Sequence, residues 1–473
     1  MLFHSLEYIL FLMVVLVVYW ALARMQRTRI LFTFLASCRF YMAWNVKYIT
    51  LILASTVLDY TVALMLHRAN GRRAKKAWLM VSLVGNLGML GTFKYFNFFA
   101  SAVHDTLSVV GIQIPEAHLA LLLPVGISFY TFQTLSYTID VYRGVIEPER
   151  NFLRYAFYVT YFPQLVAGPI VRARDFLPQI IKRPYINSDM VGEGLFLILR
   201  GLVKKVIVAD FLAINLADRV FDNPAAFTSV EVMIGLYAYT MQLYCDFSGY
   251  TDVARGSARL MGFRLPENFE RPYQASSPAE FWRRWHMTLS SWLRDYLYFP
   301  LGGSRGSPAR TYFNLWLTLF LIGLWHGAGW TFVVYGAIHG CAMVAHRFFY
   351  KRSGRTSRTL DPRWMHVIKV AAMFHFTVLS RILFRSPDLT TAGKVTAQLF
   401  QGTSSVAQVS AGVWAVLAIA YLIHWTPQAL VDFVKHGFMR LPAVAQGVIL
   451  AVLGGALMEI ASTQVVPYIY FQF

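Results

Sequence analysis

An apolar stretch at residues 312–350 contains, near its middle, the segment Leu324-Trp325-His326-Gly327-Ala328-Gly329-Trp330. The stretch is far longer than the roughly 20 residues that a spanning helix needs, and its glycines would loosen a helix. An ionisable side chain inside a membrane is costly unless it faces a cavity, so by default it is a functional candidate. His326 is therefore the strongest candidate site residue, although a packed, hydrogen-bonded structural histidine explains the composition equally well.

The apolar character extends along the whole chain. Of its 473 residues, 57% are hydrophobic and only 14% are charged, which argues against soluble domains. We expect an all-α, multi-pass integral membrane protein with a single membrane domain over residues 1–473 and roughly 10 to 12 spanning helices. No basic segment precedes the first apolar stretch, residues 10–23, so we interpret it as a retained helix rather than a signal peptide.

The positively charged residues are concentrated in the loops. The formal net charge is +19, but the Lys and Arg residues lie in short loops between apolar segments, which indicates topology signals rather than nucleic-acid binding. Their alternation up to residue 154 predicts an N-terminus on the outer side and five spanning helices before residue 143. The three cysteines, Cys38, Cys245 and Cys341, have no disulfide or metal-ligand spacing, and no metal site is expected.

Three segments break the simple pattern of spans. Residues 162–169 contain a Phe-Pro and a Gly-Pro pair, which indicates either a re-entrant hairpin or a proline-kinked helix. Residues 195–222 carry charges among Leu, Ile and Val, so we predict an interfacial helix, with a helix facing the protein interior as the alternative. The polar segment at residues 248–310 is too long for a simple turn.

Further polar side chains fall within or beside apolar segments. His286 follows an aromatic and basic run that is typical of an interfacial helix, but it could equally be a partner for His326. His339 is predicted to be structural. A group of six polar residues could cap a helix or line a pocket: Gln242, Tyr244, Asp246, Ser248, Tyr250 and Asp252.

Six segments together resemble the membrane-bound O-acyltransferase (MBOAT) family, in particular its bacterial branch that includes the alginate O-acetylation membrane subunit. They are MLFHSLE at residues 1–7, LPVGISFYTFQ at 123–133, QLVAGPI at 164–170, CDFSGY at 245–250, FWRRWH at 281–286 and LWHG at 324–327. The resemblance implies that His326 corresponds to the family's invariant catalytic histidine, at the centre of a tunnel. It also implies that His286 corresponds to a second, more variable catalytic position.

The resemblance further implies a reaction and its participants. An acyl thioester, expected to be acetyl coenzyme A, would enter from the cytoplasm without any metal. The acceptor would be a hydroxyl of an extracytoplasmic polysaccharide, reached through a periplasmic partner protein, and the protein would reside in the bacterial inner membrane. Two alternatives stay open: D-alanyl transfer to teichoic acid from a carrier protein, and a polysaccharide or lipid transporter, which would also explain broken helices.

Overall fold

The computed structural model describes residues 1–353, 362–463 and 468–469, and the regular structure in these ranges is helical. A single isolated bridge pairs Phe269 with Trp285. The all-α prediction is confirmed. The contacts divide the chain into two units, residues 1–191 with 257–266 and residues 192–256 with 267–473. The expectation of one membrane domain stays a prediction.

The helices have the following bounds. From the N-terminus they are α1 (Leu6–Ala21), α2 (Gln26–Met42), α3 (Ile49–Arg68), α4 (Arg72–Leu90), α5 (Phe96–Val109), α6 (Ile127–Tyr142), α7 (Phe152–Thr160), α8 (Phe162–Leu165), α9 (Ala173–Ile181), α10 (Ser188–Leu202), α11 (Asp218–Asp222) and α12 (Ser229–Leu260). They continue as α13 (Pro278–Arg284), α14 (Met287–Leu293), α15 (Pro308–His326), α16 (Trp330–Arg352), α17 (Arg363–Arg385), α18 (Leu389–Leu399), α19 (Ala411–Trp425), α20 (Gln428–Met439) and α21 (Ala443–Thr463). Wider π-helical turns occur at Gly91–Tyr95, Val203–Asp210, Ala213–Ala217 and Arg294–Tyr298.

Several helices of the described residues are long and apolar enough to cross a membrane. Four segments qualify, and the bent pair of α19 and α20 would make a fifth: Val46–Arg68, Arg72–Val109, Trp330–Arg352 and Arg363–Arg385. This number is smaller than the expected roughly 10 to 12 spans. One reason is that some apolar stretches form shorter helices, such as the 16 residues of α1.

A buried polar cluster joins three helices of the first unit. Asp59 on α3 accepts hydrogen bonds from Ser82 and Asn86 on α4, and from Thr138 on α6 at 2.7 Å. Side chains of this kind hold helices together within a membrane, where hydrophobic attraction between helices is weak. The cluster therefore ties α3, α4 and α6 by directional contacts that an apolar pattern does not reveal.

The segment with the two proline pairs does not form one kinked helix. It is divided into α7, α8 and α9, and residues 155–173 are buried throughout. Helix α7 has 9 residues and so reaches only about 14 Å, too short to span. The hydroxyl of Tyr158 donates to the carbonyl of Val171 at 3.0 Å, which ties α7 to the chain beyond the break. This arrangement favours the hairpin alternative, while its depth in a membrane stays a prediction.

Two charged residues of the segment at 195–222, Lys205 and Asp210, are buried. Lys205 is fully buried, with its Nζ 2.8 Å from Asp210 and 2.7 Å from Asp246. The second carboxylate oxygen of Asp246 accepts from the backbone N–H of Ile469 at 2.9 Å. The prediction of an interfacial helix is therefore wrong at Lys205 and Asp210, and the inward-facing alternative is confirmed. A buried charge needs charged and hydrogen-bonding partners, which only the interior supplies here.

A second ion cluster lies on the same helices. Asp252 pairs with Arg200 at 2.5 Å and with Lys204 at 2.7 Å. Both Asp246 and Asp252 lie within the long helix α12, so they do not cap a helix end. Instead, Asp252 pairs with Arg200 and Lys204, and Asp246 pairs with Lys205.

Replacing Lys205 by Met should destabilise the protein strongly. The change leaves Asp210 and Asp246 buried without their cation, and breaking a buried ion pair in this way costs roughly 3 to 5 kcal/mol. Thermal unfolding in detergent measures the effect. The matched control is Lys204→Met, which leaves Arg200 beside Asp252 and should cost clearly less. Equal losses of thermal stability in the two variants would contradict the buried pairing of Lys205 with Asp210 and Asp246.

Candidate active site

Local sequence determines where the helix that carries His326 begins and ends. The hydroxyl of Ser307 accepts from the backbone N–H of Arg310, and Pro308 occupies the first turn of α15. The helix ends at His326 because Gly327 is extended, and α16 begins at Trp330. A side chain at Gly327 would collide with the ring of Phe332. The long apolar stretch therefore forms two helices that meet at the glycines.

Small residues bring α15 and α16 into close contact. A Cβ atom added at Gly336 would lie 2.6 Å from the carbonyl oxygen of Phe320 and 3.1 Å from Cα of Gly323. A Cβ atom at Gly340 would lie 3.0 Å from the carbonyl oxygen of Trp316. Glycines at such positions let two membrane helices approach closely. This packing fixes the end of α15, and hence His326, against α16.

The hydrogen bond of His326 determines its tautomer. The side chain is buried, and its Nδ1 lies 2.7 Å from the carbonyl oxygen of Ile322. A carbonyl can only accept, so Nδ1 must carry the proton. In the neutral ring the lone pair then lies on Nε2. Nε2 is therefore the nitrogen of His326 that can take a proton.

The structure places His286 next to the same group of residues. It precedes α14, has a left-handed backbone with φ 44°, and is fully buried. The rings of Phe247 and Trp325 lie 4.8 and 5.5 Å from its ring, and Trp325 also contacts the ring of His326 at 5.1 Å. Burial, and then the neighbouring His326, hold the pKa of His286 well below its ordinary value. The two histidines singled out from the sequence thus lie close enough to interact.

Two further polar side chains, His339 and Arg381, lie near the histidine pair. His339 on α16 is buried and lies 3.3 Å from the hydroxyl of Ser380 on α17. The buried guanidinium of Arg381 lies 4.9 Å above the ring of Trp285, and its Nη1 is 3.4 Å from the hydroxyl of Tyr335. The structural role of His339 stays a prediction.

Sequence reasoning missed Arg381 and the residue that contacts His286, Asn268. Arg381 lies inside an apolar block, so the criterion that identified His326, an ionisable side chain within an apolar stretch, would also have found it. Asn268 belongs to the polar segment at 248–310, where one more amide side chain does not stand out as a functional candidate. Within the described residues, no group of three or more His, Cys, Asp or Glu side chains could hold a metal ion.

Comparison with known proteins gives the class. The sequence model of the membrane-bound O-acyltransferase family matches residues 8–385, and the chain belongs to this family. It is therefore a multi-pass membrane protein and an O-acyltransferase, as the resemblance implied.

Individual relatives carry more specific names. A probable alginate O-acetylase of Pseudomonas aeruginosa is 40% identical over 402 residues, which cover 84% of this chain and 75% of the relative. The peptidoglycan O-acetyltransferase of Helicobacter pylori is 37% identical over 390 residues, covering 76% of this chain and 72% of the relative. The teichoic acid D-alanyltransferase of Bacillus subtilis is more distant, with 29% identity over 273 residues, covering 55% of this chain and 68% of the relative.

The tautomer of His326 can be measured directly. In protein labelled with ¹⁵N-histidine and held in lipid nanodiscs, we expect a protonated Nδ1 and an unprotonated Nε2 at neutral pH, because Ile322 requires the proton on Nδ1. Comparison with the His326→Gln spectrum assigns this signal among the 12 histidines. A proton on Nε2 of His326 would contradict the geometry.

Replacing Gly336 by Ala should separate α15 from α16. The added methyl group would meet the backbone of α15, and overpacking of this kind costs about 1 to 3 kcal/mol. Loss of the folded fraction on heating in detergent measures the cost. The matched control is Gly393→Ala in α18, where no atom lies within 4 Å of the added Cβ, so stability should stay level or rise. Unchanged thermal stability of Gly336→Ala would show that α15 and α16 do not pack closely at this position.

Proposed function

We propose that the protein transfers an acetyl group from a cytoplasmic thioester, acetyl coenzyme A, toward hydroxyls of an extracytoplasmic polysaccharide. Transfer would proceed through a periplasmic partner protein, from a site in the bacterial inner membrane. Two relatives support the acetyl group and the type of acceptor, since their names specify alginate and peptidoglycan O-acetylation. Basic loops on the donor side would suit an anionic coenzyme, although topology alone also requires such loops.

The observation that carries the mechanism is the fixed tautomer of His326. Its Nε2 would take the proton of an acceptor hydroxyl while the hydroxyl oxygen attacks the thioester carbonyl. The tetrahedral adduct would collapse with cleavage of the C–S bond. The thiolate would leave with the proton that His326 had accepted, which restores the neutral imidazole. Every proton is thereby accounted for within the site and its two substrates.

His286 would assist as a second hydrogen-bonding group. Its burial and low pKa keep its ring neutral, so it adds no charge beside His326 that would oppose protonation of the base. A neutral imidazole at this position can accept a hydrogen bond from a second donor group of a substrate, such as a neighbouring sugar hydroxyl, and so help to orient the reacting hydroxyl toward the donor carbonyl. Holding the reacting groups in line in this way supplies part of the rate enhancement of an enzyme.

Replacing His326 by Ala should abolish measurable transfer. General base catalysis contributes about 10² to 10⁴ in rate, and the helix end itself depends on Gly327 rather than on the imidazole. The assay follows consumption of labelled acetyl coenzyme A and label transfer to candidate polysaccharides, at matched protein levels in membranes.

The matched control is His375→Ala. His375 makes the same ring bond to the carbonyl four residues earlier, from Nδ1 to Ala371 at 2.8 Å, but its side chain is exposed on α17. This variant should transfer at the wild-type rate. Wild-type transfer by His326→Ala would overturn the proposed function.

The D-alanyl alternative has a specific observation in its favour, the likeness to the Bacillus subtilis enzyme. The same assay distinguishes the two donors when a D-alanyl carrier protein replaces acetyl coenzyme A. Consumption of the charged carrier alone would select the alternative. A transporter, in contrast, would move its cargo equally well after loss of His326.

A further inference from the structure

The side chain of Asn268 lies beside His286 in a buried, hydrogen-bonded corner. Asn268 is 1% exposed. Its Oδ1 lies 3.2 Å from the backbone nitrogen of Thr288, 2.9 Å from the hydroxyl of Thr288 and 3.2 Å from Nδ1 of His286. Its backbone carbonyl accepts from the N–H of Met287 at 3.0 Å. One asparagine therefore contacts three successive residues at the start of α14.

These contacts determine the proton positions without further assumption. The backbone N–H of Thr288 can only donate, so the amide atom that faces it must be the oxygen of Asn268. His286 Nδ1 faces this same oxygen, which can only accept. Nδ1 therefore carries a proton, and the lone pair of the neutral His286 ring lies on Nε2.

We propose that Asn268 is a positioning residue for the reaction, which holds His286 in the tautomer whose Nε2 accepts hydrogen bonds. The inference rests on the proposed function, because it assigns a role within that same site. Both histidines then present Nε2 as an acceptor: His326 through the carbonyl of Ile322 and His286 through the amide of Asn268. Hydrogen-bonding partners of metal-ligating histidines fix the tautomer and ring orientation, and losing one typically costs about 10- to 100-fold in metal affinity or activity. We expect a loss of the same size for the partner of His286.

The backbone at His286 strengthens the case for positioning. His286 is one of two described non-glycine residues with positive φ, the other being Arg271. A left-handed conformation at a non-glycine residue costs about 1 to 3 kcal/mol and persists only where surrounding contacts enforce it. The segment that includes Asn268 supplies such contacts. The backbone N–H of Glu270 donates to the carbonyl of Arg284 at 2.9 Å, next to the bridge between Phe269 and Trp285. The strained residue is thus held from both sides.

A purely structural alternative assigns Asn268 to capping α14. The amide oxygen does accept from the first turn of that helix, so loss of stability alone cannot separate the two roles. A carboxylate at the same position would cap equally well but would act differently on the imidazole. It would form a charge-assisted bond to Nδ1 and favour the protonated ring.

The test compares Asn268→Ala with Asn268→Asp under the acetyl coenzyme A assay. We expect Asn268→Ala to lower kcat about 10- to 100-fold with KM for the donor nearly unchanged. We expect Asn268→Asp to fold like the wild type and to move the acid limb of its pH profile to higher pH. His326 is a titratable neighbour that acts on His286, and Phe247, Phe269 and Trp325 contribute rings.

The matched control is Asn314→Ala. Asn314 is also buried and donates to the carbonyls of Leu301 and Gly303, both at 3.2 Å, without touching a histidine. Its loss should lower stability and leave the pH profile in place. If Asn268→Ala fails to fold, the nearly isosteric Asn268→Asp decides alone. An unmoved acid limb in Asn268→Asp, or wild-type kcat in Asn268→Ala, would overturn the inference.

The ¹⁵N-histidine spectrum separates this inference from the proposed function. In the wild type, His286 should show a protonated Nδ1, and this state should weaken in Asn268→Ala whether or not the protein transfers acetyl groups. A protein with the expected His286 signals but no acetyl transfer would refute the proposed function alone. A proton on Nε2 of wild-type His286 would refute the role of Asn268 alone.

Discussion

The hydrogen bond from His326 Nδ1 to the carbonyl of Ile322 is the interaction on which the account of the site depends. It places the proton on one ring nitrogen and leaves the lone pair on the other. The bond lies in the last turn of α15, and the end of this helix depends on an extended glycine next to the ring of Phe332. Close packing of α15 on α16 then fixes the position of the helix end. Chemistry and fold are linked here through a few backbone atoms.

The same constraint recurs at other buried polar groups of this chain. Asp59 is surrounded by hydroxyl and amide donors from α4 and α6, and Lys205 lies between two carboxylates. Water is scarce inside a membrane protein, so each such group requires a partner from the chain itself. His286 satisfies this requirement through the amide of Asn268, and the partner also selects its tautomer.

The sequence was sufficient for the helical class and the family, and it named His286 as a candidate partner of His326, because hydropathy and the quoted motifs carry these features. It was not sufficient for the depth and length of each helix. The charged run around Lys205 looks interfacial in sequence, and only the distant Asp246 shows why it is buried. Asn268 and Arg381 act through contacts made by folding, so spacing along the chain could not reveal their place beside the histidines.

The most direct measurement of the central claim replaces His326 by Nε2-methylhistidine, introduced genetically into the full chain. The methyl group occupies the nitrogen that should accept the hydroxyl proton. It also leaves Nδ1 of the neutral ring without a proton, so the variant loses the bond to Ile322 together with the base, while the aromatic ring is kept. Acetyl transfer should be no faster than in a protein that lacks the imidazole. Transfer at the wild-type rate would contradict the assignment of Nε2 as the base.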